Sequence, residues 1–213
     1  IDYLQYSIYM MHVLQHHIET DYALIVQDDG WVLNGENWKD DYYNYDYIGA
    51  PSHCGRVGDQ FLLGFSWYEH SERTVVQNGG FSLRSKKFLQ APNKFGLVHK
   101  QANDIHNWNE DAQLTAILRK DLEFCGMKYA PEDVAKDFSI EYVGPGFHDG
   151  FDFNRLVGHH AQSRRLIGDM YVRVTMPHGE IKDYHGEEQF IKFLWDLGYT
   201  IEYNYPVADK AGT

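Results

Sequence analysis

Asp28 and Asp29 stand directly after the apolar run Tyr22-Ala23-Leu24-Ile25-Val26, between Gln27 and Gly30. Two carboxylates at the end of a buried strand suit a hard divalent cation and, through it, a phosphate. Further along come the acids Glu110 and Asp111, and then His148. Mg²⁺ or Mn²⁺ takes carboxylate oxygens, substrate phosphates and waters, and Mn²⁺ also tolerates an imidazole. These residues therefore fit one metal and one base. Between them lies Asn78-Gly79-Gly80-Phe81-Ser82-Leu83-Arg84-Ser85. Its glycines let a backbone approach a ligand closely, and its arginine is a candidate phosphate partner.

Each residue also has a plainer reading. Asp28 and Asp29 fit a turn or cap as well as a site, and Glu110 and Asp111 are the acids a helix N-terminus favours. The glycine pair could shape a tight turn, His148 could be a structural loop histidine, and Arg84 could lie on a solvated strand face. His159 and His160 are adjacent and point apart on most backbones, so they read as a solvated surface pair rather than a joint metal site.

The elements that must hold these residues alternate in type. Apolar positions from Tyr6 to Ile18 recur at helical spacing and precede a strand over Tyr22–Val26; the acidic loop follows, at the strand end where open α/β sheets collect ligands. Trp31–Gly35 reads as a short strand closing in a turn, and Gly49 and Pro51 stop regular structure after Ile48. Ser52–Val76 reads as a long loop or lid, and the aromatics from Trp31 to Tyr68 lean towards acceptor binding. A strand is predicted at Phe81–Arg84, with helices over Lys86–Gln90, Ala112–Leu122 and Pro131–Asp137. Phe138–Val143 alternates like a strand, and Gly144–Gly150 breaks it. Beyond about Arg155, a strand over Met170–Thr175, a helix over Glu187–Leu197 and a strand over Thr200–Tyr203 predict a βαβ-like appendage or the start of a further domain.

Composition narrows the classes. The chain has 213 residues, enough for one sizeable core, and 19 Lys and Arg against 31 Asp and Glu give a net charge of -12. That is the wrong sign for a nucleic-acid binder, and no basic stripe occurs. An acidic protein that handles an anionic substrate needs a cation or placed arginines at the site. Cys54 and Cys125 are too few for a disulfide framework and lack zinc spacing. No apolar stretch approaches the roughly 20 residues of a membrane helix and no secretory leader opens the chain, so a cytoplasmic setting is expected. The chain begins at Ile1 within a helical pattern, which suggests an excised or N-terminally truncated domain.

Five ordered stretches carry a resemblance. They are Gln27-x-Asp29-Gly30, Tyr45-Asp46-Tyr47-Ile48-Gly49-Ala50-Pro51, Asn78 to Ser85, Glu110-Asp111 and Gly146-Phe147-His148. Together they resemble an uncharacterised domain family allied to the GT-A glycosyltransferases, over roughly the first 150 residues. The resemblance implies an α/β fold, a GT-A-like (Rossmann-like nucleotide-diphospho-sugar transferase) mixed sheet flanked by helices over residues 1–154, with 155–213 outside it. It implies a metal-dependent transfer of sugar from a nucleotide-sugar donor to a carbohydrate or other hydroxyl acceptor. Gln27-Asp28-Asp29 resembles the DxD-type motif that holds Mn²⁺ or Mg²⁺ and the donor diphosphate, with Gln in place of the first Asp. Asp29 is then the favoured metal ligand, Asp28 a second, and His148 the late histidine that completes the coordination. Asn78, Gly79 and Gly80 would border donor and acceptor, with Arg84 beside the phosphates. Glu110-Asp111 would be the catalytic acids, Asp111 the base. One base opposite one leaving group implies inversion. The alternatives are a non-catalytic carbohydrate- or nucleotide-binding module on the same fold, for which Gln27 speaks, and last a metal-dependent phosphohydrolase.

Overall fold

A computed structural model describes residues 2–57, 60–63, 72–100, 108–143, 147–175 and 187–204. The chain enters through α1 (Tyr3–Ile8), which widens into a π turn over Tyr9–Val13 and tightens into a 3-10 turn over Leu14–His17. Asp2 caps it: its Oδ1 accepts from Gln5 N at 2.8 Å while Gln5 Oε1 accepts from Asp2 N at 3.2 Å, so two orphan donors are satisfied reciprocally. Then follow β1 (Tyr22–Val26), β2 (Gly30–Val32), β3 (Tyr47–Val57), β4 (Gln60–Leu63) and β5 (Glu72–Ser85). Ser85 ends β5 and caps α2 (Lys86–Lys94) by accepting from Phe88 N.

The middle of the chain holds α3 (Glu110–Ala112), a π turn over Gln113–Ile117, α4 (Arg119–Phe124), α5 (Glu132–Phe138) and β6 (Ser139–Ile140). The last part holds β7 (Gly158–His160), β8 (Arg164–Gly168), β9 (Tyr171–Thr175), α6 (Glu187–Asp196) and β10 (Thr200–Asn204).

The protein is mixed α/β. In place of one mixed sheet, the described strands form three small, mostly antiparallel sheets, ordered β1-β5-β3-β4, β2-β7-β6 and β10-β9-β8. Parallel pairs occur only at β6–β7 and β9–β10 among the strands described. The last sheet sets β9, α6 and β10 in succession with its two flanking strands parallel.

Several expectations are corrected. Gly49 and Pro51 do not end regular structure: β3 runs through them, because Gln77 on β5 supplies the missing ladder partners, its Oε1 accepting from Gly49 N at 3.1 Å. The loop expected over 52–76 is largely strand where it is described, in β3, β4 and β5; residues 58–59 and 64–71 of that span lie outside the described residues. The helix expected over Ala112–Leu122 is three pieces, widened by the π turn where Thr115 Oγ donates to Asp111 O at 2.7 Å. Phe138 closes α5, leaving a two-residue strand, and part of the expected break, 144–146, lies outside the described residues. β8 has no counterpart in the sequence reading.

The core joins early and late segments. Trp31 and Ile140 are buried together with Phe153, Leu156, Val172, Val174, Phe190 and Leu194. A second cluster places Met11, Phe88, Leu114, Leu118 and Leu122 around Tyr47, and a third seats Phe81 and Phe138 beside Ile48. Among the described residues, no helix is long and apolar enough to cross a membrane.

Candidate functional site

Residues Gln27 to Gly30 form a tight turn between β1 and β2, closed by Gly30 N donating to Gln27 O at 3.0 Å. The turn orients its side chains apart. Asp28 faces solvent and accepts from Arg165 Nη1 at 2.9 Å. Asp29 is buried, and its Oδ1 lies 3.0 Å from His160 Nε2. That same nitrogen is 3.1 Å from Gln27 Oε1, and Gln27 Nε2 donates to Tyr6 Oη at 2.7 Å. Burial pushes the Asp29 carboxyl up, but the His160 ring outweighs it and holds Asp29 below the usual range. Burial likewise opposes charge on His160, yet Asp29, with Glu141 and Asp111 nearby, raises it above its ordinary value.

Asn78-Gly79-Gly80 is a bulge in β5. Between the pairs Gly49–Ser82 and Pro51–Gln77, β3 uses one residue, Ala50, where β5 uses four, Asn78 to Phe81. The surplus backbone is thrown toward the β1–β2 turn, where Gly80 O accepts from Gln27 N at 2.8 Å. Asn78 Oδ1 braces it by accepting from Gly80 N at 2.6 Å. Both glycines are sterically required. A Cβ on Gly79 would lie 2.3 Å from Glu110 Oε1, and one on Gly80 2.1 Å from His160 Nε2. The glycine pair thus seats two polar pairs on bare backbone.

Glu110 and Asp111 open α3 but serve different ends. Glu110 is buried and accepts from Arg84 Nη2 at 2.7 Å. Arg84, fully buried, also donates to Gly79 O and Ser82 Oγ and stacks over the Tyr47 ring. Arg84 is therefore committed to the fold of the bulge rather than presented on a solvated face. Asp111 accepts from Gly79 N at 3.1 Å through Oδ2 and from Ala112 N at 2.7 Å through Oδ1. Burial, then repulsion from Glu110, pushes its carboxyl up to about 6 against those two donors.

His148 is not brought to this group. It is fully buried, its Nε2 lies 3.1 Å from Lys136 O, and its ring meets the edge of Phe151; burial holds it down to about 4. The imidazole beside Asp29 is His160, and the reading of His159 and His160 as a solvated pair is corrected, since both are buried. They do point apart. His159 accepts from Arg164 Nε at 2.8 Å and stacks on Phe190, while His160 faces the turn. The sequence signal that could have found them is the apolar neighbourhood Leu156-Val157-Gly158 leading into Ala161, which reads as a buried strand rather than a surface loop.

A cleft of about 910 Å³ joins these parts. It is lined by the apolar residues Tyr3, Tyr6, Met10, Leu14 and those of β1 together with Asp28, Asp29, Asn78, Glu110, Asp111, Glu141, His160 and Arg165. Glu141, just past β6, is a site residue that the sequence reading passed over as part of a strand. Burial pushes its carboxyl up to about 7.

Among the described residues, no group of three or more His, Cys, Asp or Glu is arranged to hold an ion. Asp28 and Asp29 offer instead the one or two carboxylates with which Mg²⁺ is commonly held, the rest of its shell coming from phosphates and water. The donor set here is one buried carboxylate engaged by His160 and one exposed carboxylate engaged by Arg165. A family described as "Protein of unknown function (DUF5672)" matches residues 3–154. No curated protein and no solved structure matches the chain.

Proposed function

We propose a sugar-transfer role for this chain, which belongs to the DUF5672 family. In this reading it is a metal-assisted glycosyltransferase that moves a sugar from a nucleotide-sugar donor to a hydroxyl acceptor, with inversion, on a GT-A-like domain over residues 1–154. Residues 155–213 are an appendage that lends His160 and Arg165 to the cleft. The observation that carries the reading is the convergence of three segments far apart in sequence, the Gln27–Gly30 turn, the Asn78–Gly80 bulge and the Glu110-Asp111 pair, on one cleft lined by apolar and acidic residues.

The roles follow from the environments. Asp29, ionised and oriented by His160, would be the favoured ligand of Mn²⁺ or Mg²⁺ with the donor diphosphate, Asp28 would join it on leaving Arg165, and the ion would supply Lewis-acid stabilisation of the leaving group. Tyr6, with Tyr3, Met10 and Leu14 on the cleft, would offer apolar surface to the base of the nucleotide. Asp111 is the base: it is held in place by two backbone N–H groups, and its raised carboxyl matches the proton it must take from an acceptor hydroxyl. Glu110 and Arg84 position Asp111 by fixing the bulge, and His148 supports the α5 end of the fold.

The test is release of nucleoside diphosphate from a panel of nucleotide sugars, with simple sugars as acceptors and with Mn²⁺ present or chelated. Asp111→Asn is expected to lower turnover about 10²-fold or more while donor affinity stays near that of the unsubstituted chain. Full turnover in that variant would remove Asp111 as the base. One observation favours a second reading, a binding module without chemistry: both ends of the Gln27 amide are engaged, with Tyr6 and His160. Metal-independent nucleotide binding with no donor breakdown would select it.

A further inference from the structure

Arg165 is the one arginine or lysine among the described residues that line the cleft, where the carboxylates of Asp28, Asp29, Glu110, Asp111 and Glu141 gather. An anion entering such a cleft needs a placed cation to meet it. Two features of the fold put Arg165 there. On β8 its neighbour Arg164 is fully buried and tied to Glu187, His159 and the Glu141 carbonyl, so strand alternation leaves Arg165 on the opposite, open side. In the register with β9, Arg165 stands opposite Arg173, which is itself paired with Glu202 at 3.0 Å. Like charges directly opposite destabilise a sheet. The ion pair that Arg165 makes among the described residues lies outside its sheet: Nη1 meets Asp28 Oδ2 of the β1–β2 turn at 2.9 Å, 137 residues away.

That pair is suited to exchange. Its side chains are 47% and 79% exposed, and an ion pair so open to water contributes little to the fold. A diphosphate is the stronger partner, since it carries more charge than one carboxylate and offers several oxygens to the planar guanidinium fork.

We propose that Arg165 is a phosphate-binding residue of the cleft, held by Asp28 while the cleft is empty and passed to the donor diphosphate when it enters. This rests on the transfer reading and adds to its site a residue beyond the family match. The exchange also bears on the ion. Asp28 is engaged as long as Arg165 holds it, and a diphosphate that draws Arg165 away leaves Asp28 free for Mn²⁺ or Mg²⁺. Ion and diphosphate therefore each strengthen the binding of the other.

Calorimetry on the full chain tests this, with a panel of nucleoside diphosphates and the matching nucleosides, and with Mn²⁺ present or chelated. With the ion chelated, Arg165→Gln is expected to bind the diphosphate about tenfold or more weakly, with nucleoside affinity unchanged and Arg165→Lys recovering part of the loss. Asp28→Asn is expected to act in the opposite direction under chelation and tighten the diphosphate, because the guanidinium has no carboxylate to leave. A purely structural ion pair would move both variants the same way. Mn²⁺ alone is expected to bind Arg165→Gln more tightly than the unsubstituted chain, since Asp28 is released. Unchanged diphosphate affinity in Arg165→Gln, or weakened affinity in Asp28→Asn under chelation, would overturn the role of Arg165 alone. If circular dichroism shows Arg165→Gln unfolded, Asp28→Asn decides the matter by itself. If the unsubstituted chain binds no diphosphate in either condition, the transfer reading falls and this role falls with it.

Discussion

Gly80 carries no side chain because His160 occupies the space one would need. Gly80→Ala is expected to displace the His160 ring from Asp29 and Gln27, costing about 1–3 kcal/mol of stability and about tenfold or more in nucleotide affinity. Thermal melts and calorimetry check both. The Asp29–His160 pair also sets a pH window. Asp29 lies below its unfolded value of about 3.9, so its contribution is present above that pH and is lost as pH falls through the folded value. His160 lies above its unfolded value of about 6.5, so its contribution is complete below that pH and is lost as pH rises through the folded value. Both hold between about pH 4 and 6.5, and His160→Asn should cost most stability there and less at pH 9. Denaturant midpoints across that range would show it, and a cost that grows above neutrality would contradict it. Glu141 runs the other way. Its carboxyl is ionised in the unfolded chain above about 4.3 and neutral in the folded one to about 7, so it weakens the fold progressively between those values.

At the scale of elements, the bulge in β5 is the decisive device, and Gln77 makes it possible. Its Oε1 accepts from Gly49 N, its Nε2 donates to Ala130 O at 2.7 Å, and its N donates to Thr115 Oγ at 3.0 Å. Gln77→Ala would leave a buried donor and a buried acceptor unpaired and is expected to cost about 1–3 kcal/mol. It should also lower turnover more than nucleotide affinity, since Asp111 is held through Gly79. How much of this was legible follows the same lines. Strand β1 and the turn after it are readable from an apolar run ending in Gln-Asp-Asp-Gly, and α2 and α6 from their periodicity. The course of β3 through Pro51 is not, because the partner that makes it possible is a side chain on a strand more than twenty residues away. The Glu110-Asp111 pair reads as one unit in sequence, yet a buried arginine divides its roles. His148 stood out through its glycine-rich setting, and His160 was hidden by having an identical neighbour.

At the scale of the whole molecule, the site spans more chain than the family match. His160 and Arg165 lie beyond residue 154, and Phe190 and Leu194 of α6 share a core with Trp31 and Ile140. The appendage and the body are therefore expected to melt together. Phe190→Ala should destabilise the protein by about 3–5 kcal/mol and leave one calorimetric transition; two separated transitions would show independent units. Strand β2 pairs with β7 through Trp31↔His159, a contact that spans most of the chain, while β1 on the other side of the acidic turn pairs with β5. The turn hangs between two of the longest-range pairings in the fold. Such contacts are the slowest to form. On a ribosome that adds residues from the N-terminus, Asp29 would emerge early and wait, unmatched, until some 130 further residues had followed it and His160 could be met. A form cut short before β7 would thus keep the acidic turn without the partner that tunes it.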